Sequence, residues 1–110
     1  MARYIDIVHP GIMLKENFLD EIGVRPATLA KGIGVDRAAI TKILSGKRDI
    51  SADMSLRLGL FFGQSAAFWH NLQKDYELRK ASRERLSALK KSIRPLESLA
   101  ITRRARPDMR

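Results

Sequence analysis

Residues 36–48, DRAAITKILSGKR, combine cationic, small and apolar side chains at helical spacing. The apolar positions that predict a buried face are Ile40, Ile43 and Leu44. The opposite face carries Arg37, Ala38, Ala39, Thr41 and Lys42. An arginine can donate two hydrogen bonds to a guanine edge, and an alanine can contact a thymine methyl. Lysine and threonine suit a phosphate or a neighbouring base, and Lys47 and Arg48 follow the helix where a phosphate clamp would lie. This pattern predicts a DNA-reading surface.

The residues before this segment predict the element that would position it. Residues 26–46 read as two short helices joined by a glycine turn, with Leu29, Ala30 and Ile33 on one face of the first helix. Gly34 can adopt the positive φ that the turn needs, and Val35 follows as an apolar plug. Asp36 is expected to cap the second helix through its side-chain oxygen. Together these features predict a helix-turn-helix, whose second helix enters the major groove, and the alternative is an αα-hairpin that only packs.

Further helices are predicted on both sides of this motif. Residues 1–8 could form an extended arm or an edge strand, and a helix then opens at His9-Pro10-Gly11 and closes at Gly23. Its apolar stripe is Leu14, Phe18, Leu19 and Ile22. Ser51 is expected to cap a fourth helix that ends at Gly63, with Met54, Leu58, Phe61 and Phe62 on its buried face.

A fifth helix is predicted from about Ser65 to about Ser92, because no helix breaker intervenes before Pro95. It starts with a heavy apolar face and continues as a narrow seam. The face comprises Phe68, Trp69, Leu72 and Tyr76, and the seam comprises Leu78, Ser82, Leu86, Leu89 and Ile93. We expect Leu72, Tyr76, Leu86 and Leu89 to form a homodimer interface. The predicted domain covers residues 1–94, and residues 95–110 form a basic tail without stable structure.

Charge and composition narrow the possible partners. The 110 residues carry a net charge of +9, which favours an anionic partner. Residues 1–78 contain 10 Lys and Arg against 9 Asp and Glu, whereas residues 79–110 contain 11 against 3. The excess charge therefore lies outside the predicted helix-turn-helix.

Catalytic and metal-binding signals are weak. The chain has no cysteine, its two histidines lie far apart, and no carboxylate pair has a base or metal ligand beside it. We therefore expect no enzyme activity, no metal, no cofactor and no small-molecule substrate. No signal peptide or membrane span is predicted, and a cytoplasmic protein is expected.

Three runs resemble the HigA-type antitoxins, which belong to the Cro/C1-type (XRE) helix-turn-helix class. They are HPGIMLKENFL, LAKGIGVDRAAITKILSGKRDIS, and the stretch from Ala52 to Arg79 that contains FFGQSAAFWHNLQKDYELR. The resemblance covers about residues 8–80 in one collinear block. It implies an all-α fold, a compact five-helix Cro/C1-type domain with a long C-terminal helix.

The resemblance also implies a double function. Such antitoxins dimerise on a palindromic double-stranded DNA operator to repress their own operon, and they neutralise a HigB-type ribonuclease that cleaves mRNA. Family members present the equivalents of Arg37, Ala38, Ala39, Thr41 and Lys42 to DNA. Two departures stand out. Arg25-Pro26 replaces a common Ser-Gln or Thr-Gln pair, so Arg25 is expected to substitute for one phosphate contact, and alanines replace Ser or Thr at positions 38 and 39.

Two other functions stay open at this point. One is a solitary repressor of the same fold without a toxin, and the other is an RNA-binding or interaction protein that works through the basic tail. If a toxin exists, Asp20 and Glu21 on the first helix are candidate contacts, because a ribonuclease must be positively charged to hold RNA.

Overall fold

The computed structural model describes residues 7–98, and over that range the chain forms five helices and no strand. Helix α1 has three consecutive segments: α-helical Pro10–Leu14, π-helical Lys15–Leu19 and α-helical Asp20–Ile22. The others are α2 (Pro26–Ile33), α3 (Arg37–Leu44), α4 (Ala52–Phe62) and α5 (Ala66–Ser92), followed by a 3-10 turn at Leu96–Ser98. The predicted all-α architecture is confirmed. Most of the predicted arm or strand at residues 1–8 lies outside the described residues, and residues 7 and 8 belong to no helix or strand.

The helix-turn-helix turn forms as the sequence predicts. Gly34 ends α2 with a φ of 72°, a left-handed conformation that other residues rarely adopt. The N–H of Val35 then donates to the carbonyl of Ala30 at 3.0 Å, and the Val35 side chain packs against the core. Because only three residues separate the two helices, α3 begins directly beside α2.

The two N-caps behave differently. The Oγ of Ser51 accepts the N–H of Met54 at 3.1 Å, so its predicted capping of α4 is confirmed. Asp36 occupies the N-cap position of α3 in an extended conformation, but its side chain makes no capping hydrogen bond. The predicted side-chain cap is therefore wrong. The carboxylate of Asp36 is exposed, where water competes with the backbone N–H groups.

Helix α1 departs from regular spacing in its middle. The N–H of Asp20 donates to the carbonyl of Lys15, five residues back, because the π segment holds one residue more per turn. Leu14 and Leu19 are buried on the core side, whereas Ile22 is 57% exposed. The predicted burial of Ile22 is wrong, since the α-helical period does not continue through the π segment.

The core lies within the first of two compact units, which ends at Lys80. Its buried apolar side chains come from all five helices and the segment before α4: Leu14, Leu19, Leu29, Ala30, Ile33, Ile40, Ile43, Leu44, Ile50, Met54, Leu58 and Trp69. Trp69 is fully buried, with Phe18 and Phe62 packed beside it. Phe61 and Phe68 are 36% and 40% exposed, so their predicted burial is only partial.

The second unit begins at Ala81 and is described to residue 98. Its helical residues complete α5, which ends at Ser92 as predicted. Leu86 and Ile93 are exposed there, and Leu89 is half-buried. The 3-10 turn at Leu96–Ser98 is local order inside the segment predicted to lack structure, and the rest of that tail lies outside the described residues.

Candidate nucleic-acid interface

Helix α3 separates its two faces as the sequence indicates. Ile40, Ile43 and Leu44 are buried in the core. Arg37, Ala38, Thr41 and Lys42 are exposed, and Ala39 is half-buried. The helix has eight residues and is therefore about 12 Å long, and a major groove is wide enough to admit such a helix.

The hydroxyl of Thr41 is already engaged within α3. Its Oγ1 donates to the carbonyl of Arg37 at 3.0 Å, one turn back along the helix. In this rotamer the hydroxyl cannot donate to a phosphate, although its lone pairs and its methyl group stay accessible. Thr41 therefore fits contact with a base edge better than a phosphate contact.

Helix α3 ends in a loop whose backbone folds back on the helix. We call residues 47–50 the grip loop. The N–H groups of Lys47 and Arg48 both donate to the carbonyl of Lys42, at 2.8 and 3.2 Å. This arrangement satisfies an end carbonyl of α3 and places the two cationic side chains, both exposed, directly after the helix. Arg37, Lys42, Lys47 and Arg48 thus provide cations along one continuous segment.

The other predicted contact residues lie elsewhere on the surface. Arg25 occupies the N-cap position of α2 and is exposed, but it makes no side-chain capping bond. Asp20 and Glu21 are exposed near the end of α1, and Asp20 pairs with Lys15 at 3.2 Å. The ion pair partly offsets the charge that Asp20 could offer to a basic partner.

The four residues predicted to form the dimer interface differ in their surroundings. Leu72 packs against the core, and the ring of Tyr76 lies 4.9 Å from the ring of His9. Both side chains are half-buried within their own unit. They therefore have contacts within the chain that the helical spacing of the apolar residues did not predict. Leu86 is exposed and Leu89 is half-buried.

Two residues that support the interface, Gly11 and Arg57, were missed by sequence reasoning. Gly11 packs so closely on α3 that a Cβ there would lie 2.7 Å from the carbonyl carbon of Ile43. The Nη1 of Arg57 donates to the carbonyls of Ile33 and Gly34 at 2.6 and 3.3 Å, at the end of α2. The sequence marks the first site by the run His9-Pro10-Gly11, which predicts a helix start and begins one of the three runs that carry the family resemblance, but neither interpretation indicates the contact with α3. Nothing in the sequence marked Arg57.

Within residues 7–98, no group of three or more His, Cys, Asp or Glu side chains could hold a metal ion. None of the helices in that range is long and apolar enough to cross a bilayer.

Comparison with known proteins gives the family. Residues 17–69 match the helix-turn-helix family model. The chain is 38% identical over 80 residues to virulence-associated protein I of Dichelobacter nodosus, covering 73% of this chain and 74% of that protein. It is 30% identical over 89 residues to antitoxin HigA-1 of Vibrio cholerae, covering 81% and 83% of the two chains.

The structure comparison points to the same family as these relatives. The antitoxin HigA of Pseudomonas aeruginosa, determined with the higBA promoter, superimposes with a TM-score of 0.79 at 40% identity. The match covers 83% of this chain and 99% of that one. The chain therefore belongs to the HigA antitoxin family, within the Cro/C1-type class of helix-turn-helix proteins.

Proposed function

We propose that the chain is an operator-binding antitoxin that represses its own operon and neutralises a HigB-type ribonuclease toxin. The observation that carries the proposal is the cationic exposed face of α3 above a fully buried back face, in a family with a member solved on promoter DNA. Because an operator is DNA, we place this activity in the cytoplasm. The chemistry is binding, not catalysis, and needs no cofactor.

The proposed readout divides base contacts from phosphate contacts. Arg37 lies in the first turn of α3, where its guanidinium can donate two hydrogen bonds to a guanine. Ala38 and Ala39 would contact thymine methyls. Lys42 would hold a base or a phosphate beside Thr41. The phosphate contacts we assign to Lys47, Arg48 and Arg25, whose side chains are exposed.

A homodimer is the second part of the proposal. One eight-residue helix offers few base contacts, so specific binding favours two copies on a two-fold site, with their α3 helices about 34 Å apart. We keep Leu72, Tyr76, Leu86 and Leu89 as the proposed interface. The exposed Leu86 is its best-supported member, because its side chain is open to a partner.

The toxin-binding surface is proposed on α1. Asp20 and Glu21 are exposed there and carry charge opposite to that of an RNA-binding enzyme. They also lie on a different helix from the proposed DNA contacts. One complex could therefore bind toxin and operator together.

The test separates the two activities in one variant. A binding duplex is first selected from a random-sequence library by the wild-type chain and is called the selected duplex. Arg37→Ala combined with Lys42→Ala should abolish its binding yet leave capture of the purified HigB-type toxin unchanged. Asp20→Asn combined with Glu21→Gln is the matched control. It should abolish capture of the toxin and leave binding to the selected duplex unchanged.

Other outcomes would favour the alternatives. A folded Arg37→Ala, Lys42→Ala variant that loses both activities would contradict separate surfaces. A wild-type chain that binds the selected duplex but no toxin would be a solitary repressor. If the domain ends at residue 94 as proposed, removing residues 95–110 should leave operator binding intact. Loss of operator binding on this truncation would favour the interpretation in which the basic tail binds the nucleic acid.

A further inference from the structure

Two buried polar side chains, one at the N-cap of α1 and one within α5, bond to the grip loop. His9 is 5% exposed and Gln73 is 2% exposed, and Ser55 is the other buried polar side chain within residues 7–98. Burying a polar group costs free energy unless its hydrogen bonds are replaced. The hydrogen bonds of His9 and Gln73 must therefore offset the cost of burying their polar side chains.

The ring of His9 is bonded through both nitrogens. Its Nδ1 accepts the N–H of Gly11 at 2.9 Å, so the ring hydrogen must lie on Nε2. Nε2 lies 3.2 Å from Oδ1 of Asp49 and donates to it, across 40 residues of sequence. The ring of Tyr76 packs edge-on with centroids 4.9 Å apart. His9 is thus fixed on three sides and points one donor at the grip loop.

Gln73 holds the end of the same loop. Its Oε1 accepts the N–H of Ile50 at 2.9 Å, and its Nε2 donates to Glu77 at 3.0 Å. The second bond sets the orientation of the amide, so that its oxygen faces the loop. Since the carbonyl of Lys42 already holds the start of the loop, the backbone is anchored at both ends.

We infer that His9 and Gln73 are positioning residues that hold the grip loop in its DNA-binding conformation before DNA arrives. The inference rests on the proposed function and deepens it. A loop that is already ordered loses less conformational entropy on binding, so the Lys47 and Arg48 side chains meet phosphates at a lower cost. Neither positioning residue needs to touch DNA.

A pair of substitutions at Asp49 isolates the bond from His9. The Asp49 side chain is 64% exposed, so both variants should fold. Asp49→Asn and Asp49→Ala remove the same charge, but only asparagine keeps an oxygen that can accept from Nε2. Each is also made with His9→Asn, whose Oδ1 replaces Nδ1 as acceptor for Gly11 but cannot reach residue 49.

The first measurement is binding to the selected duplex at several salt concentrations. With His9 present, Asp49→Ala should bind about five-fold more weakly than Asp49→Asn, as one hydrogen bond predicts. The slope of its log affinity against log salt concentration should decrease in magnitude by about the contribution of one phosphate contact. When His9→Asn is also present, the affinities of the Asp49→Ala and Asp49→Asn variants should agree within about two-fold. Equal affinities with His9 present, or a difference that persists with His9→Asn, would overturn the inference.

The second measurement needs no DNA. Amide hydrogen exchange at Arg48 and Ile50 should be about five-fold faster in Asp49→Ala than in Asp49→Asn, because opening of the loop is easier. Equal exchange rates would show that His9 does not order the loop. If the wild-type chain selects no duplex, the proposed function fails, and the exchange rates alone decide this point.

Discussion

Gly11 allows α1 to pack directly against the backbone of α3, and adding a single methyl group there tests this contact. In Gly11→Ala the new Cβ would lie 2.7 Å from the carbonyl carbon of Ile43, and closer still to its oxygen. Ordinary carbon contacts are about 3.5–4.0 Å, and the carbonyl oxygen is nearer to the Cβ than the carbonyl carbon is, so the two helices must separate by more than about 1 Å. The atoms in the way belong to the backbone of a buried turn and cannot rotate aside.

The cost of this separation is that of overpacking a core, about 1–3 kcal/mol. For a domain of this size, Gly11→Ala should lower Tm by roughly 5–15 °C. The assay is thermal unfolding followed by circular dichroism, with binding to the selected duplex measured well below Tm. Binding should weaken too, because α3 is displaced at its C-terminal turn.

Gly32→Ala is the matched control. Its Cβ would meet Cε1 of Phe61 at 2.5 Å, but that ring is partly exposed and can turn away. Alanine also gains about 0.5–1 kcal/mol over glycine inside a helix. Gly32→Ala should therefore stay within about 1 kcal/mol of the wild type. A Gly11→Ala protein as stable as the wild type, or an equal loss in both variants, would refute the reasoning.

Five other substitutions test single interactions. Arg37→Ala should cost about 1–3 kcal/mol per half-site and relax preference at one base, whereas Lys47→Ala should weaken binding to selected and scrambled duplexes alike. Equal losses on both duplexes for both variants would contradict this division. Arg57→Met should destabilise the fold by about 1–2 kcal/mol in urea unfolding, because two carbonyls at the end of α2 lose their donor. Asp53→Asn, which removes the ion pair but keeps those bonds, should cost less than about 1 kcal/mol. Ser51→Ala should cost about 0.5–2 kcal/mol, since Met54 loses its capping oxygen.

The features that sequence could predict depend on neighbouring residues. The turn at Gly34, the cap at Ser51 and the end of α5 before Pro95 follow from local backbone preferences, and the structure has all three. The exposed and buried faces of α3 follow from its periodicity in the same way. Local rules therefore locate the candidate site.

The features that were missed depend on residues far apart in sequence. His9 and Asp49 are 40 positions apart, and Ile50 and Gln73 are 23 apart, so no local pattern connects them. The π segment of α1 interrupts the period on which the prediction for Ile22 relied. Asp36 has the residue type of a cap, but hydration of its exposed carboxylate competes with the backbone N–H groups. The support of the site thus appears only in three dimensions.

The central claim is that α3 reads a DNA sequence. Its most direct test is the ratio of the affinities of the wild-type chain for the selected duplex and for a scrambled duplex of equal length and composition, at physiological salt. We predict a ratio of at least about a thousand, with two chains per duplex and half-sites about 10 base pairs apart. A ratio near one would mean that only charge holds the DNA, and would contradict the account.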